Sequence, residues 1–179
     1  TAVYLDYLNE IDLLRTTVRQ EAFGILVDER QTHKLLDDLR AKVKLAEAES
    51  LKIVGRPLNL NSSKQVPEYL TEELGLSLAK TTSTGSASAG KESLMLIRDS
   101  HPIIDVILKY RTFSRGITSI EKYLEFMNPK TRRIHANIKT NEAVTGRQSC
   151  SEPNLQNVTK EGSERSAFVV PARRCFRAD

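Results

Sequence analysis

The sequence predicts a mainly α fold with a small β portion, an α+β arrangement in which helices come first and strands afterwards. Three observations carry this. Apolar residues recur at helical spacing over long stretches before residue 127, and the β-prone runs that follow are short. The composition, with 39% hydrophobic residues, 28% charged and no Trp, is that of an ordinary globular protein. At 179 residues the chain is long enough to bury a core, as one domain or two small ones.

From Val3 to Val18 the positions Tyr7, Leu8, Ile11, Leu14 and Val18 share one helical face, so a first helix is expected to turn that face to a core. "FGILVD" breaks it, and Asp28 to Gln31 has the D-x-x-Q form of a capping box for a second helix. That helix carries Leu35, Leu39, Val43 and Ala46 on one stripe and runs to about Val54, where Gly55 and Pro57 end it. In "LNLNSSKQ", Ser62 and Gln65 stand in the S-x-x-Q relation that starts a third helix; Pro67 sits just inside it and Gly75 closes it. "KTTSTGSASAGK", Lys80 to Lys91, has no apolar periodicity and reads as a flexible stretch, either a linker or a hydroxyl-rich loop that orders on phosphates. After "HP", residues Ile103, Val106, Ile107, Tyr110, Phe113, Ile117, Ile120 and Leu124 describe a long amphipathic helix, with Arg111 and Arg115 sharing a face away from most of that stripe. "NPKT" is a turn signal, and "RRIHANI", "SAFVV" and "RCFRA" are three short β-prone runs.

Several classes are disfavoured. No apolar run reaches membrane-spanning length. "TAVYLDYLNE" has neither a basic start nor an apolar signal core, so nothing points to secretion; without an initiator Met, it also suits a processed piece. Cys150 and Cys175 are expected as reduced thiols, and His33, His101 and His135 are too scattered for a zinc site. Charge is uneven: residues 128–179 hold ten Lys/Arg against five Asp/Glu, leaving 17 against 18 in the first 127. A basic final third suits a polyanionic partner, although a solvated charged face has the same composition.

"VTGRQSCSEPNLQN", Val144 to Asn157, is the most informative stretch. Its short polar side chains and Pro153 make a turn, in which Asn154 and Asn157 cap local backbone groups. Arg147 is left over. Beside Gly146, which permits close approach of a partner, it offers a planar fork of donors to phosphates or base edges.

This stretch resembles the T-G-R-x-S-S-x-x-P-N-L-Q-N signature of family A DNA polymerases, the bacterial DNA polymerase I group and its phage relatives. Other segments resemble the same family in the same order: "GILVD", "PLNLNSSKQ", "KTTSTG", "HPIIDVILKYR", "RRIHANI", and "RSAFVVP" followed by "RAD". The resemblance implies a helical polymerase thumb with long antiparallel helices and an incomplete palm sheet. Residues 1–28 would be the helix leading in from the palm with its connection, 29–127 the thumb with a tip loop at 80–91, and 128–179 the first part of the palm.

For function it implies a part of a DNA-directed DNA polymerase, a nucleotidyltransferase of replication or repair, that is inactive alone. Asp179 matches the first catalytic aspartate, which with a second, absent from this chain, would hold two Mg²⁺ ions. Arg147 would reach the minor groove at the primer terminus, where acceptors common to every base pair let it test geometry while reading little sequence. Thr145, Gln148, Asn154, Gln156 and Asn157 would join it on DNA, although Gln148 stands where the family usually has an apolar residue. In the thumb, Asn59, Asn61 and Ser62 match duplex-contacting positions, Thr84 and Ser88 hydroxyls of a phosphate-gripping loop, and Arg111 and Arg115 basic positions of the following helix. The implied partners are primer-template DNA, a dNTP in the complete enzyme only, and a second chain supplying fingers and remaining palm; no membrane is implied. Ser83, Ser86 and Ala87 replace frequent basic residues, Cys150 replaces a Ser, Glu152 stands where Asp is common, and the segment from Asn157 to Arg165 is short and phage-like. Two other readings compete: a non-catalytic DNA-binding module derived from a thumb, and a helical interaction protein with a basic tail.

Overall fold

The computed structural model describes residues 2–78, 89–140, 142, 145, 147–158 and 163–169. Its helices are α1 (Ala2–Phe23), α2 (Glu29–Val54), α3 (Gln65–Glu68), α4 (Lys91–Leu96) and α5 (Pro102–Glu125). Its strands are β1 (Ile25–Leu26), β2 (Met127–Asn128), β3 (Arg133–Ile134), β4 (Asn137–Lys139) and β5 (Ser149–Ser151). The fold is mainly α with small antiparallel sheets, as expected. The chain forms two compact units, Thr1–Leu36 with Thr118–Asp179, and Asp37–Ile117.

In the first unit β1, β3 and β2 form a three-stranded antiparallel sheet in that order, with Ile25 and Met127 both opposite Ile134. The "NPKT" turn joins β2 to β3: the Asn128 carboxamide oxygen accepts the Lys130 N–H at 2.9 Å, and its backbone carbonyl accepts the Arg132 N–H at 2.8 Å.

Helix α1 runs to Phe23 and breaks within "FGILVD" as expected, at Gly24, which takes φ +61° and returns its N–H to Gln20. The expected core face is not buried. Tyr7, Leu8, Leu14 and Val18 are exposed and Ile11 is half-buried, whereas Thr17 is only 1% exposed. The side of α1 that this unit covers is therefore the side holding Thr17, not the apolar stripe.

"RRIHANI" divides into β3 and β4, and its Arg and His close the end of α1. Arg133 donates to the Phe23 and Gly24 carbonyls at 3.2 and 3.0 Å, with its guanidinium 4.3 Å from the Phe23 ring centroid. His135 Nδ1 lies 2.8 Å from the Glu21 carbonyl and, since a carbonyl only accepts, carries the proton there. These side chains satisfy carbonyls that a helix end leaves open.

"SAFVV" is not a strand from its start: Ser163–Ala167 is a 3₁₀ turn, and pairing begins only at Phe168, which bridges to Val27. Anchoring replaces a ladder here, since the Asp28 N–H donates to Ala167, Val169 returns its N–H to Leu26, and the Phe168 ring lies 5.0 Å from that of Tyr123. "RCFRA" and Cys175 lie outside the described residues.

In the second unit α2 ends at Val54 as its stripe predicts, with Gly55 at φ +75°. At the other end of that helix, in the first unit, Asp28 Oδ1 accepts the Gln31 N–H at 3.0 Å, one half of the predicted capping box. The third helix is shorter and less regular than expected. After the four residues of α3 the chain widens into a π-helical turn, Tyr69–Glu73, in which the Thr71 hydroxyl donates to the Pro67 carbonyl at 2.9 Å. Gly75, at φ +64°, then ends the segment, and Leu76 sends its N–H back to Leu70. The core gathers Leu60, Val66, Leu70, Leu94, Ile103 and Ile107, all at most 1% exposed. Each such side chain contributes about 1.5–3 kcal/mol of burial. Helix α4 carries Leu94 into that core and was not legible in the sequence, being only six residues long.

Candidate nucleic-acid interface

The described residues singled out in the sequence fall on the β4–β5 hairpin and the turn that follows it in the first unit, and on the Asn59–Ser62 turn and α5 in the second. In the first unit β4 and β5 pair with Asn137 opposite Ser151, Ile138 opposite Cys150 and Lys139 opposite Ser149, so the signature enters the fold as the loop and second strand of a hairpin. Glu142 ties the loop across its base. Its carboxylate accepts from Lys139 Nζ at 2.9 Å and, in a short hydrogen bond, from the Ser149 hydroxyl. The Ser149 bond first and Lys139 second hold the Glu142 carboxyl below its usual range.

Past β5 the chain folds back. Asn154 Oδ1 accepts the Gln156 N–H at 3.0 Å, the local turn-capping role its type suggests, and the Gln156 side chain donates to the Gln148 carbonyl at 3.1 Å. Gln148 in turn donates through Nε2 to the Thr17 hydroxyl at 3.3 Å. Cys150 is a buried free thiol whose Sγ donates to the Pro153 carbonyl at 3.6 Å. Gln148, Gln156 and Asn154 thus each make an internal bond, although Asn154 and Gln156 are still exposed and Gln148 is half-buried. Thr145, Arg147 and Asn157 remain exposed, and no hydrogen bond or ion pair holds the Arg147 guanidinium among the described residues.

In the second unit Asn59–Ser62 is a shaped turn. Asn59 Oδ1 accepts the Asn61 N–H at 3.1 Å, and Ser62 Oγ accepts those of Lys64 and Gln65 at 3.3 and 3.1 Å. The predicted capping box is only half formed: Gln65 Oε1 accepts from the Asn59 N–H at 3.2 Å, while the Ser62 N–H bonds to the Asn59 carbonyl. Asn61 Nδ2 donates to Ser114 Oγ at 2.9 Å.

Arg111 does not point freely away from the apolar stripe. It is half-buried, donates through Nε to the Leu60 carbonyl at 2.8 Å and through Nη1 to the Ala89 carbonyl in a short bond. Burial, then the nearby Arg115, lowers its pKa. Arg115 is exposed. Both belong to a cleft of about 450 Å³ that Lys91, Arg98 and Lys109 also line, with Asp105, bound to Arg98 at 2.7 Å, as its acidic member. Lys91, Arg98 and Lys109 were not singled out as site residues in the sequence, and the cleft groups them with Arg111 and Arg115.

Thr84, Ser88 and Asp179 lie outside the described residues. Among the described residues no cluster of three or more His, Cys, Asp or Glu side chains could hold a metal ion. No helix among them is long and apolar enough to cross a membrane.

Residues 29–179 match the sequence profile of DNA polymerase family A. The chain is 38% identical over 167 residues to a thermostable DNA polymerase I of Thermus thermophilus, covering 90% of this chain and 20% of that protein. It is 34% identical to DNA polymerase I of Bacillus subtilis, covering 89% and 19%. Its fold is similar, with a TM-score of 0.83 and 30% identity, to the POL domain of Pol1 from M. smegmatis solved with DNA primer-template and dNTP, covering 91% of this chain and 30% of that one. The chain spans about one fifth of the length of these curated relatives. On the profile match over most of its length, and on relatives that agree with it, the chain belongs to DNA polymerase family A.

Proposed function

We propose that this chain is the duplex-holding part of a DNA-directed DNA polymerase, comprising the thumb, within 29–127, and the first portion of the palm, from 128. The observation that carries this is the exposed Arg147, set on a hairpin loop whose neighbours are occupied with holding one another. An Arg held on such a loop can enter a minor groove and donate to acceptors that every base pair presents, as a polymerase acting on any sequence requires. The exposed Thr145 and Asn157, the Asn59–Ser62 turn and the basic cleft at Arg115 supply further donors for phosphates. The structural neighbour holds primer-template DNA and a dNTP, which supports the same class of partner here.

On this reading the 179 residues grip a duplex in the cytoplasm of a bacterial or phage-infected cell but do not transfer nucleotides unaided. Asp179 is the position from which a metal-binding carboxylate would act once joined, in one chain or two, to the rest of a polymerase domain. Titration of a labelled primer-template duplex across a salt series, read by fluorescence anisotropy, tests the proposal. The expected result is binding at low salt that weakens steeply and linearly on a log–log plot, with little dependence on duplex sequence. No binding at low salt by folded protein contradicts it.

A further inference from the structure

Thr17 lies in the middle of α1, 1% exposed, on a helix whose apolar stripe is otherwise in solvent. Its hydroxyl donates to the Leu13 carbonyl at 2.9 Å, the usual back-bond of a helical Thr. A carbonyl cannot donate, so the hydroxyl proton is committed to Leu13, and what Thr17 offers the signature loop is a lone pair. The group that meets it is a donor, Gln148 Nε2, at 3.3 Å. Gln148 is the residue immediately after Arg147, and its backbone carbonyl accepts the Gln156 side chain from the far end of the signature. A continuous line of bonds therefore runs from Leu13 through Thr17 and Gln148 to Gln156 and its bond with Asn154.

Thr16, one residue earlier, makes the same back-bond, to Asp12 at 2.9 Å, but is exposed and makes no hydrogen bond to the described residues of the loop. It shows what the hydroxyl does for the helix alone. The additional bond at Thr17 is specific to the loop. It also pairs with a departure: where the resemblance leads one to expect an apolar side chain, position 148 holds an amide that needs an acceptor, and α1 supplies one.

We infer that Thr17 is a positioning residue for Arg147, acting through Gln148, so that α1 sets the reach of the Arg147 guanidinium into a duplex groove. The inference rests on the duplex-holding role proposed above. Five variants test it in the same chain: Thr17→Val, which keeps the shape and loses the acceptor; Thr17→Ser, which keeps the acceptor; Thr16→Val as the helix control; Arg147→Ala; and Thr17→Val combined with Arg147→Ala. The readouts are anisotropy with a labelled primer-template duplex and backbone amide exchange over residues 147–157.

Thr17→Val is expected to weaken duplex binding about fivefold, the scale of one hydrogen bond, and to speed amide exchange in that segment. Thr17→Ser and Thr16→Val are expected to match wild type, and Thr17→Val to cost nothing further once Arg147 is Ala. Equal loss in the Arg147→Ala background, or loss with Thr16→Val, assigns the effect to the helix and overturns the inference. If wild type itself does not bind duplex, the functional proposal fails, and amide exchange still decides the positioning role: unchanged exchange in Thr17→Val overturns it, and faster exchange restored by Thr17→Ser upholds it.

Discussion

Arg111 holds the Leu60 carbonyl through its Nε at 2.8 Å while another arm of the same guanidinium holds Ala89. One planar cation thus pins two backbone segments to α5: the Asn59–Ser62 turn and the chain that enters α4. The fork geometry matters, because a lysine ammonium gathers its donors at one compact point and lacks the planar spread that sets Nε on one carbonyl and Nη1 on another.

Replacing Arg111 with Lys should therefore keep the charge and lose the bridge. A destabilisation of about 1–2 kcal/mol is expected for Arg111→Lys, and about 2–3 kcal/mol for Arg111→Ala, in urea unfolding. Arg115→Ala, at an exposed position in the same cleft, is expected to leave stability within about 0.5 kcal/mol and to weaken duplex binding instead. Equal stability losses for the two arginines would remove the distinction between strut and contact.

Gly24 and Gly55 both take positive φ, but only Gly24 has a neighbour in the way. A Cβ there would lie 2.7 Å from the Ile134 carbonyl oxygen and 2.8 Å from His135 Nδ1, whereas at Gly55 it would meet nothing within 4 Å among the described residues. Gly55→Ala should cost only the left-handed strain, about 1 kcal/mol. Gly24→Ala must also push β3 away from the end of α1, and a loss of at least about 3 kcal/mol is expected. Thermal melts of the two variants compare them directly.

The hydroxyls of Ser50 and Ser93 are buried with no hydrogen-bond partner among the described residues. An unsatisfied buried hydroxyl is a cost that a methyl group avoids, and Ala is the better helix former. Ser50→Ala and Ser93→Ala are each expected to be neutral or stabilising by up to about 1 kcal/mol. A clear destabilisation by either would mean that the hydroxyl is satisfied in solution.

Glu142 gives the hairpin a pH dependence of fixed sign. Its bonds to Ser149 and Lys139 favour the carboxylate, so the folded pKa lies below that of the unfolded chain. The contribution is present above the ordinary glutamate range and disappears as pH falls through the folded value. A side-chain carboxyl titration by NMR should place Glu142 below the other exposed glutamates. Ser149→Ala, which removes the largest cause, should bring it back up.

How far the sequence disclosed this structure depended on the range of each interaction. The stripes of α2 and α5 and the stops at Gly55 and Gly75 were legible because helix periodicity and capping are local. The strands were less so: β1 and β2 are two-residue pieces that exist only because β3 lies between them, and a pairing of that length leaves no period to read. The face of α1 was misjudged because apolar spacing shows which residues share a face and not what covers it. At the site, the exposure of Arg147 followed from its being the one residue a turn did not need. The internal duties of Gln148, Gln156 and Arg111 did not follow, since each depends on a carbonyl or hydroxyl distant in sequence, from Thr17 in one case and Leu60 in another.

The central claim is that the signature loop presents Arg147 to a duplex, and the most direct measurement is the affinity of Arg147→Ala for primer-template DNA at one fixed low salt concentration. It is made beside wild type on two duplexes that differ only in the terminal base pair. The account predicts a loss of about tenfold that is the same for both duplexes, because the acceptors an Arg meets in the minor groove are shared by all pairs. Equal affinity of variant and wild type, with both folded, would contradict it.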